Sequence, residues 1–206
     1  MRFTVNKAFV IVLFFTILIG TAEGMSFGVR AGMNIANMQS DPPGVSFARI
    51  RFCGGGFLAL GLGDIFVIQP EALYTQKGVK WHTISWGFES SQETYELDYI
   101  EMPLLFKVVL PIKGGVTPNT FLGPYFAMNV NAKYKIVTNT LSEELDYSEY
   151  IKDADYGLVL GGGVDFLLKK GKVVLDGRYT LGWITTLEDG RDQKNKVVSF
   201  TLGYSF

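Results

Sequence analysis

The most constraining feature of this sequence is the stretch 197–206, in which apolar residues alternate with small or polar ones. Val198, Phe200, Leu202 and Phe206 belong to the apolar set, and Ser, Thr or Gly stands between its members. A period of two predicts a β-strand with two chemically different faces. An aromatic residue at the end of the final strand is typical of outer-membrane β-barrels, whose aromatic residues form girdles at the membrane interfaces. Strands of soluble proteins carry the same alternation. This stretch alone therefore predicts a strand but does not decide whether its apolar face meets lipid or a protein core.

The start of the chain predicts export from the cytoplasm. Two basic residues, Arg2 and Lys7, precede an apolar or small run at 8–20, and small residues suited to cleavage follow. These are the three parts of a secretory signal peptide. The apolar run is shorter than the ~20 residues that a transmembrane helix needs. We therefore expect a cleaved signal peptide at residues 1–24 and a single mature domain at residues 25–206.

Eight segments of the mature chain show the period-two alternation. The links between them are longer after the first, third, fifth and seventh segments and shorter after the others. Outer-membrane barrels have this asymmetry, with short periplasmic turns and longer extracellular loops. We predict an all-β fold, a single eight-stranded antiparallel up-and-down transmembrane β-barrel. Its predicted strands are residues 27–37, 47–60, 65–80, 94–110, 120–133, 155–168, 173–186 and 197–206.

Several features predict irregularity in these strands or in their links. The glycine run 54–56 predicts a bend or bulge, and Pro70, Pro103 and Pro124 predict bent or bulged strands. The segment 81–93 is polar and predicts a long loop. The segment 134–153, which contains many acidic residues, predicts the longest loop.

The two faces of the strands indicate which side meets lipid. One face holds nearly all the large apolar side chains, and the other holds charged residues diluted with glycine. An eight-stranded barrel has an interior just wide enough for side chains to fill, so the bulky set would overfill it. A soluble lipocalin-like barrel, with its apolar face around a ligand, is the alternative. We favour lipid outside and a structural charge network in the lumen, formed by Arg30, Arg49, Arg51, Glu71, Glu101, Lys107, Asp165, Asp176 and Arg178.

Nothing in the sequence indicates catalysis. The lone histidine, His82, stands beside Trp81 without an evident nucleophile partner, and Cys53 is the only cysteine. These two residues make no metal-ligand cluster, and the acidic residues of the loops lack the spacing of a calcium loop. The glycine runs lack the Lys-Ser or Lys-Thr and the helix of a phosphate loop. We predict no enzyme activity, no catalytic residue, no cofactor and no metal. The formal net charge of −1 gives no indication of nucleic-acid binding.

Three longer motifs carry a resemblance to a known family. They are GVRAGMN at 28–34, QPEALYTQKG at 69–78 and LDYIEMPLLFK at 97–107, and GGGVD at 161–165 and the terminal Phe206 agree with them. With these motifs the chain resembles the PorT-type family of small outer-membrane β-barrels of Bacteroidetes-like bacteria. The resemblance implies the barrel fold and the outer-membrane location. It supplies no catalytic motif.

These observations lead to an expected function of scaffold type. We expect a small integral outer-membrane protein with a side-chain-filled lumen that binds protein partners through its extracellular loops. The family name makes an accessory role in protein export or secretion an alternative, and narrow porin-like transport is another. The expected partners are outer-membrane lipid, a protein at the loops and the barrel-insertion machinery. The resemblance implies that this machinery reads Phe206 as an assembly signal.

Overall fold

The computed structural model of the protein describes residues 24–40, 46–84, 90–110, 112, 114–138, 141–184 and 193–206. The predicted signal peptide lies outside the described residues, apart from Gly24. None of the helical structure in the described part of the chain is long and apolar enough to cross a membrane.

Eight long antiparallel strands form a closed barrel, as the sequence predicts. The chain order is also the order around the wall, and the last strand pairs with the first. Closure matters because it leaves no wall strand with an unpaired edge. The wall strands are β1 (Gly24–Ser40), β3 (Arg49–Leu62), β4 (Phe66–Ile84), β5 (Ser90–Val109), β6 (Val116–Val137), β8 (Ala154–Leu167), β9 (Lys172–Gly182) and β10 (Gln193–Ser205).

Two short strands lie outside this sequence of eight. Strand β2 (Ser46–Phe47) pairs with β4, and β7 (Ser142–Asp146) pairs with the last part of β6. A single 3₁₀ turn at Ser148–Tyr150 follows β7. These additions all lie at the end of the barrel opposite Gly24 and Phe206, which we call the long-loop end. The other end, with links at 63–65, 110–115 and 168–171, is the short-turn end.

The apolar face of the strands points outward. On β10, Phe200 and Leu202 are 56% and 57% exposed, whereas Ser199 and Thr201 are 6% and 7% exposed. The same alternation of exposed apolar and buried polar side chains recurs around the wall. Because a soluble ligand-binding barrel would bury its apolar face, this orientation excludes the lipocalin-like alternative.

The prediction of a long loop at 81–93 is wrong. Strands β4 and β5 continue past the predicted ends and pair with each other from Lys80↔Thr94 to Ile84↔Ser90. Likewise β6 continues to Val137, and β7 pairs with it inside the segment predicted as the longest loop. Residues 81–84 and 90–93 lack a regular alternation of apolar and polar side chains, so their sequence does not predict a strand. The backbone pairing nonetheless satisfies their hydrogen bonds.

The irregularities of the strands agree only in part with those that the sequence predicts. The ladders between β3 and both of its neighbours keep one register through Gly54–Gly56, so there is no bulge. At Pro103 and Pro124 the ladders are interrupted, but the register is the same on either side. The register shift lies instead at Asp98/Tyr99, where β5 meets β6. Near it Gly78 has φ of +129°, and a Cβ there would collide with the Tyr95 carbonyl oxygen.

Candidate functional site: the lumen and the long-loop end

Four charged side chains from three strands meet at the centre of the lumen. Arg178 on β9 donates two hydrogen bonds to Glu71 on β4, at 2.6 and 2.9 Å, and a third to Asp176 at 3.1 Å. Arg30 on β1 donates to Asp176 at 2.5 Å and lies 3.4 Å from Glu71. All four residues are buried. We call this group the central network, and it joins strands that are not neighbours in the wall.

A glutamine and two aromatic side chains surround the central network. The Gln69 amide donates to Glu71 at 2.5 Å. Phe57 lies against the Arg30 guanidinium at 4.5 Å, and Phe121 lies 5.3 Å from that of Arg178. Charges survive burial when they are paired and hydrogen-bonded, and aromatic faces attract cations. The centre of the lumen is therefore filled with paired charge and aromatic rings.

A second buried group lies nearer the long-loop end. The Lys77 ammonium lies 2.7 Å from Glu101 and 3.5 Å from Asp155. Asp155 also accepts hydrogen bonds from the Tyr125 hydroxyl and the Asn195 amide, each at 3.0 Å. We call this the upper network. It joins β4, β5, β6, β8 and β10 across the lumen.

Arg49 and Arg51 lie apart from the other predicted network members. Arg49 donates to Glu96 at 3.0 Å, and Arg51 lies 3.1 Å from the same carboxylate. Both arginines are only partly buried, because they lie near the start of β3 at the long-loop end, as does Glu96 on β5. The prediction of one lumen network for all nine residues is therefore too simple.

Further charges extend the Arg49 and Arg51 contacts into an outer charged cluster. Lys135 bridges Glu96 at 3.5 Å and Glu144 at 3.1 Å, and Lys133 pairs with Glu144 at 2.6 Å. Hydrogen bonds from the two lysines lower the pKa of the exposed Glu144 carboxyl, so that carboxyl stays ionised. The cluster has four cations and two carboxylates, and Asp146 on β7 lies beside it, paired in register with Lys133. Its members are Arg49, Arg51, Glu96, Lys133, Lys135 and Glu144.

Aromatic and aliphatic side chains close the lumen beneath the long-loop end. A buried hydrophobic cluster reaches from Leu105 and Phe121 to Val79, Leu97 and Ile151. Four tyrosines form an adjoining set that we call the tyrosine cluster. Ring centroids in this set lie 4.7 to 5.7 Å apart, and the members are Tyr95, Tyr134, Tyr147 and Tyr150. The extensions of β5 and β6 thus rest on a packed base.

Two more predicted residues lie near the short-turn end of the lumen. Asp165 accepts a hydrogen bond from the Asn119 amide at 3.0 Å. The Lys107 ammonium lies 5.7 Å from the centroid of the Phe121 ring. Both side chains are buried, yet neither forms an ion pair among the described residues.

The sequence reasoning missed several residues that make these contacts. Asp155 is the clearest omission, because it has the same parity on β8 as the predicted Asp165: an even number of positions separates the two, so both side chains point to the same face of the strand. Lys77 shares the polar face of β4 with Glu71 in the same way, and Tyr125 lies on the polar side of β6. Parity within each strand was thus sufficient to find them. Their grouping around one carboxylate was not predictable, because it depends on which strands face each other across the lumen.

The remaining candidate residues are placed as follows. Cys53 is a buried free cysteine on β3. The backbone of His82 belongs to β4, and its side chain lies outside the described part of the structure. In that described part, no group of three or more His, Cys, Asp or Glu side chains could hold a metal ion. Phe206 is exposed, its ring stacks on Phe27 with centroids 4.8 Å apart, and its amide donates to the Phe27 carbonyl.

Comparisons with solved structures find small barrels of low sequence identity. Ail, the attachment invasion locus protein of Yersinia pestis, is 14% identical with a TM-score of 0.43 over 88% of this chain and 98% of its own. Neisserial surface protein A is 14% identical with a TM-score of 0.47, and the match covers 89% of this chain and 100% of that protein's chain. The outer membrane protein OprG from Pseudomonas aeruginosa is 12% identical with a TM-score of 0.46, and the match covers 91% of this chain and 98% of that protein's chain.

A comparison with curated proteins finds no match. The family model described as "Outer membrane protein beta-barrel domain" matches residues 21–187, which is most of the chain. This match agrees with the closed eight-stranded wall and with the apolar residues on its outer face. The chain belongs to the outer membrane protein β-barrel domain family, and its place is the outer membrane.

Proposed function

We propose that this outer-membrane barrel is a non-enzymatic interaction scaffold whose working surface is its long-loop end. By the rule for outer-membrane barrels, that end is extracellular and the short-turn end is periplasmic. The observation that carries the proposal is the contrast between the two parts of the molecule. The lumen is filled by paired charge and packed rings, whereas the extensions of β4 to β7 form an ordered projection beyond it.

The projection has the properties of a binding surface. Binding residues commonly lie on loops or extensions that a rigid scaffold positions. Here the scaffold is the closed wall, and the surface combines the outer charged cluster with exposed aromatic and aliphatic side chains. Tyr150 is 56% exposed, and Leu145 on β7 is 51% exposed. Tyrosine is enriched at protein interfaces, and charged side chains of both signs favour a partner with a complementary charge pattern.

The filled lumen argues against the transport alternative. Two buried networks and the hydrophobic cluster occupy successive levels between the periplasmic and extracellular ends. Passage of a solute would require several buried ion pairs to separate together. An eight-stranded barrel also has an interior only wide enough for its own side chains. We therefore propose that the resting protein does not conduct.

The resemblance to PorT-type barrels makes one more specific version of the scaffold proposal worth testing. In that version, the protein partner is a component of a protein-export apparatus, and the barrel serves as its accessory in the outer membrane. The support is the motif at 97–107, which includes Glu101 of the upper network. The same experiment tests both versions, because it asks what the projection binds.

The experiment removes the part of the projection that contains β7 and leaves the eight wall strands intact. Residues 138–147 are replaced by a short Gly-Ser linker, and cross-linked complexes are recovered from the native outer membrane. We expect the partner captured by the wild type to be lost from this variant, while a Lys170→Ala control in a periplasmic turn retains it. Loss from both variants, or retention by both, would contradict the proposal. A stable open conductance of the wild type in a planar bilayer would favour transport instead.

A further inference from the structure

The periplasmic end of the lumen contains a cavity that the scaffold role does not use. Its volume is about 200 Å³, and Phe57, Gln69, Lys107 and Asp165 are among the residues that line it. Asp64, in the turn between β3 and β4, and Lys172, at the start of β9, also border it, so it lies at the periplasmic mouth. The central network lies on its inner side, because Gln69 hydrogen-bonds Glu71 and Phe57 packs on Arg30.

The charges of this cavity differ from every other charge in the described lumen. Arg30, Lys77 and Arg178 each lie within ion-pair distance of a carboxylate. Lys107 and Asp165 are 4% and 7% exposed, and neither has an ion-pair partner among the described residues. Burial of a charge is unfavourable unless that charge is paired. The cavity therefore offers one buried cation and one buried anion, each without an opposite charge within ion-pair distance among the described residues, although Lys107 is near enough to Glu71 and Asp176 to attract both carboxylates.

The mouth of the cavity repeats this arrangement nearer to water. Lys172 is partly buried and Asp64 is exposed, and within the described structure neither forms an ion pair. The two cations and two carboxylates around the cavity sum to zero charge. A ligand that is itself neutral overall, but carries one charge of each sign, would leave this balance unchanged and would give both buried groups a partner.

The size and walls of the cavity restrict that ligand further. At about 30 Å³ for each water molecule, a volume of 200 Å³ holds roughly seven waters, or one small organic molecule with some water. Val67, Val109 and Val174 supply apolar wall area between the charges. We propose that this cavity binds small zwitterions of the size of a short aliphatic amino acid from the periplasm. The ligand's carboxylate would face Lys107, and its ammonium would face Asp165.

The test uses the mature full-length barrel refolded in detergent micelles and labelled with ¹⁵N. L-Alanine is the probe, and acetate and methylammonium, which each carry one of its charged groups, are the comparisons. We expect saturable amide shifts at Val67, Val109 and Val174 with alanine. Acetate and methylammonium should each bind at least about tenfold more weakly than alanine, because each of them leaves one buried charge of the cavity unpaired. Equal shifts with all three, or no saturable shift with alanine, would overturn the proposal.

Variants then locate the site. Lys107→Met should abolish the alanine shifts, and the matched control Lys133→Met, at the extracellular end, should leave them unchanged. Because Lys107→Met also changes the buried charge balance, Thr117→Trp supplies a second variant that fills the mouth while keeping every charge. Loss of alanine binding in a folded Thr117→Trp barrel supports the proposal, and undiminished binding there contradicts it. Neither outcome bears on the extracellular scaffold role.

Discussion

Replacement of Glu71 by alanine should destabilise the barrel more than any exposed charge substitution. Glu71 is 0% exposed, accepts two of the three hydrogen bonds that Arg178 donates and lies 3.4 Å from Arg30. Its removal leaves the Arg178 guanidinium with a single carboxylate, Asp176, which it shares with Arg30. Removing one partner of a buried ion pair costs about 3–5 kcal/mol. That loss corresponds to an increase of the unfolding equilibrium constant between roughly a hundredfold and several thousandfold.

The assay is reversible urea unfolding of the protein in lipid or detergent, followed by tryptophan fluorescence. The denaturant midpoint should fall while its slope stays unchanged, which indicates a change of stability rather than of the surface exposed. Glu144→Ala is the matched control, because Glu144 also contacts two cations but is exposed. A loss for Glu71→Ala no larger than that of Glu144→Ala would refute the reasoning.

A double variant separates ion pairing from simple loss of packing. Removal of Glu71 and Arg178 together deletes one charge of each sign and leaves the Arg30–Asp176 pair at 2.5 Å intact. Replacement of a buried ion pair by apolar groups of similar volume is often close to neutral. We therefore expect Glu71→Met/Arg178→Met to lose less stability than the sum of the two single variants. An additive result would mean that the two residues stabilise the barrel independently.

Three further changes test other parts of the structure. Phe200 lies near the middle of the lipid-facing side of β10, and Phe200→Arg should lower the free energy of unfolding by about 2–4 kcal/mol. Phe206 lies near the periplasmic interface, and Phe206→Arg should lower it by only about 0–1 kcal/mol. Both values are measured by unfolding in lipid bilayers. Deletion of Phe206 should lower the amount of barrel assembled in cells while refolding into detergent stays largely intact; equal loss in both assays would make Phe206 a packing residue only. Asp155→Ala should destabilise the protein by less than Glu71→Ala in urea unfolding, because Lys77 keeps Glu101 at 2.7 Å; a larger loss would contradict this ranking.

The period-two rule explains why the wall and its two faces were predictable. On β10, each residue's parity decides whether it meets lipid or lumen, so Phe200 and Ser199 could be assigned from the sequence alone. Parity also placed Arg30, Glu71 and Arg178 on the inner face. It could not show that these three meet, because β1, β4 and β9 are not neighbours in the wall. Contact across a lumen depends on strand tilt and stagger, which alternation does not encode.

The extensions of β4, β5 and β6 show a second limit of the same rule. A strand in lipid must have one apolar face, and that requirement produces the alternation. Above the membrane the requirement ends, and in the paired residues 80–84 and 90–94 the regular alternation of apolar and polar residues is lost. Arg49 and Arg51 show a related limit. Both have lumen parity, but they lie at the extracellular end of β3, where their carboxylate partner is Glu96 on β5 rather than a member of the central network.

The direction in which the two faces point is the central claim, and spin labels on β10 test it most directly. Cysteine is introduced singly at residues 197–203 in a Cys53→Ser background, labelled, and measured in lipid bilayers for collision with oxygen, which concentrates in lipid, and with a water-soluble nickel chelate. We expect oxygen accessibility to peak at Val198, Phe200 and Leu202, with low accessibility to both reagents at Ser199 and Thr201. Peaks at Ser199 and Thr201, or no alternation at all, would contradict a barrel with lipid outside and a filled lumen.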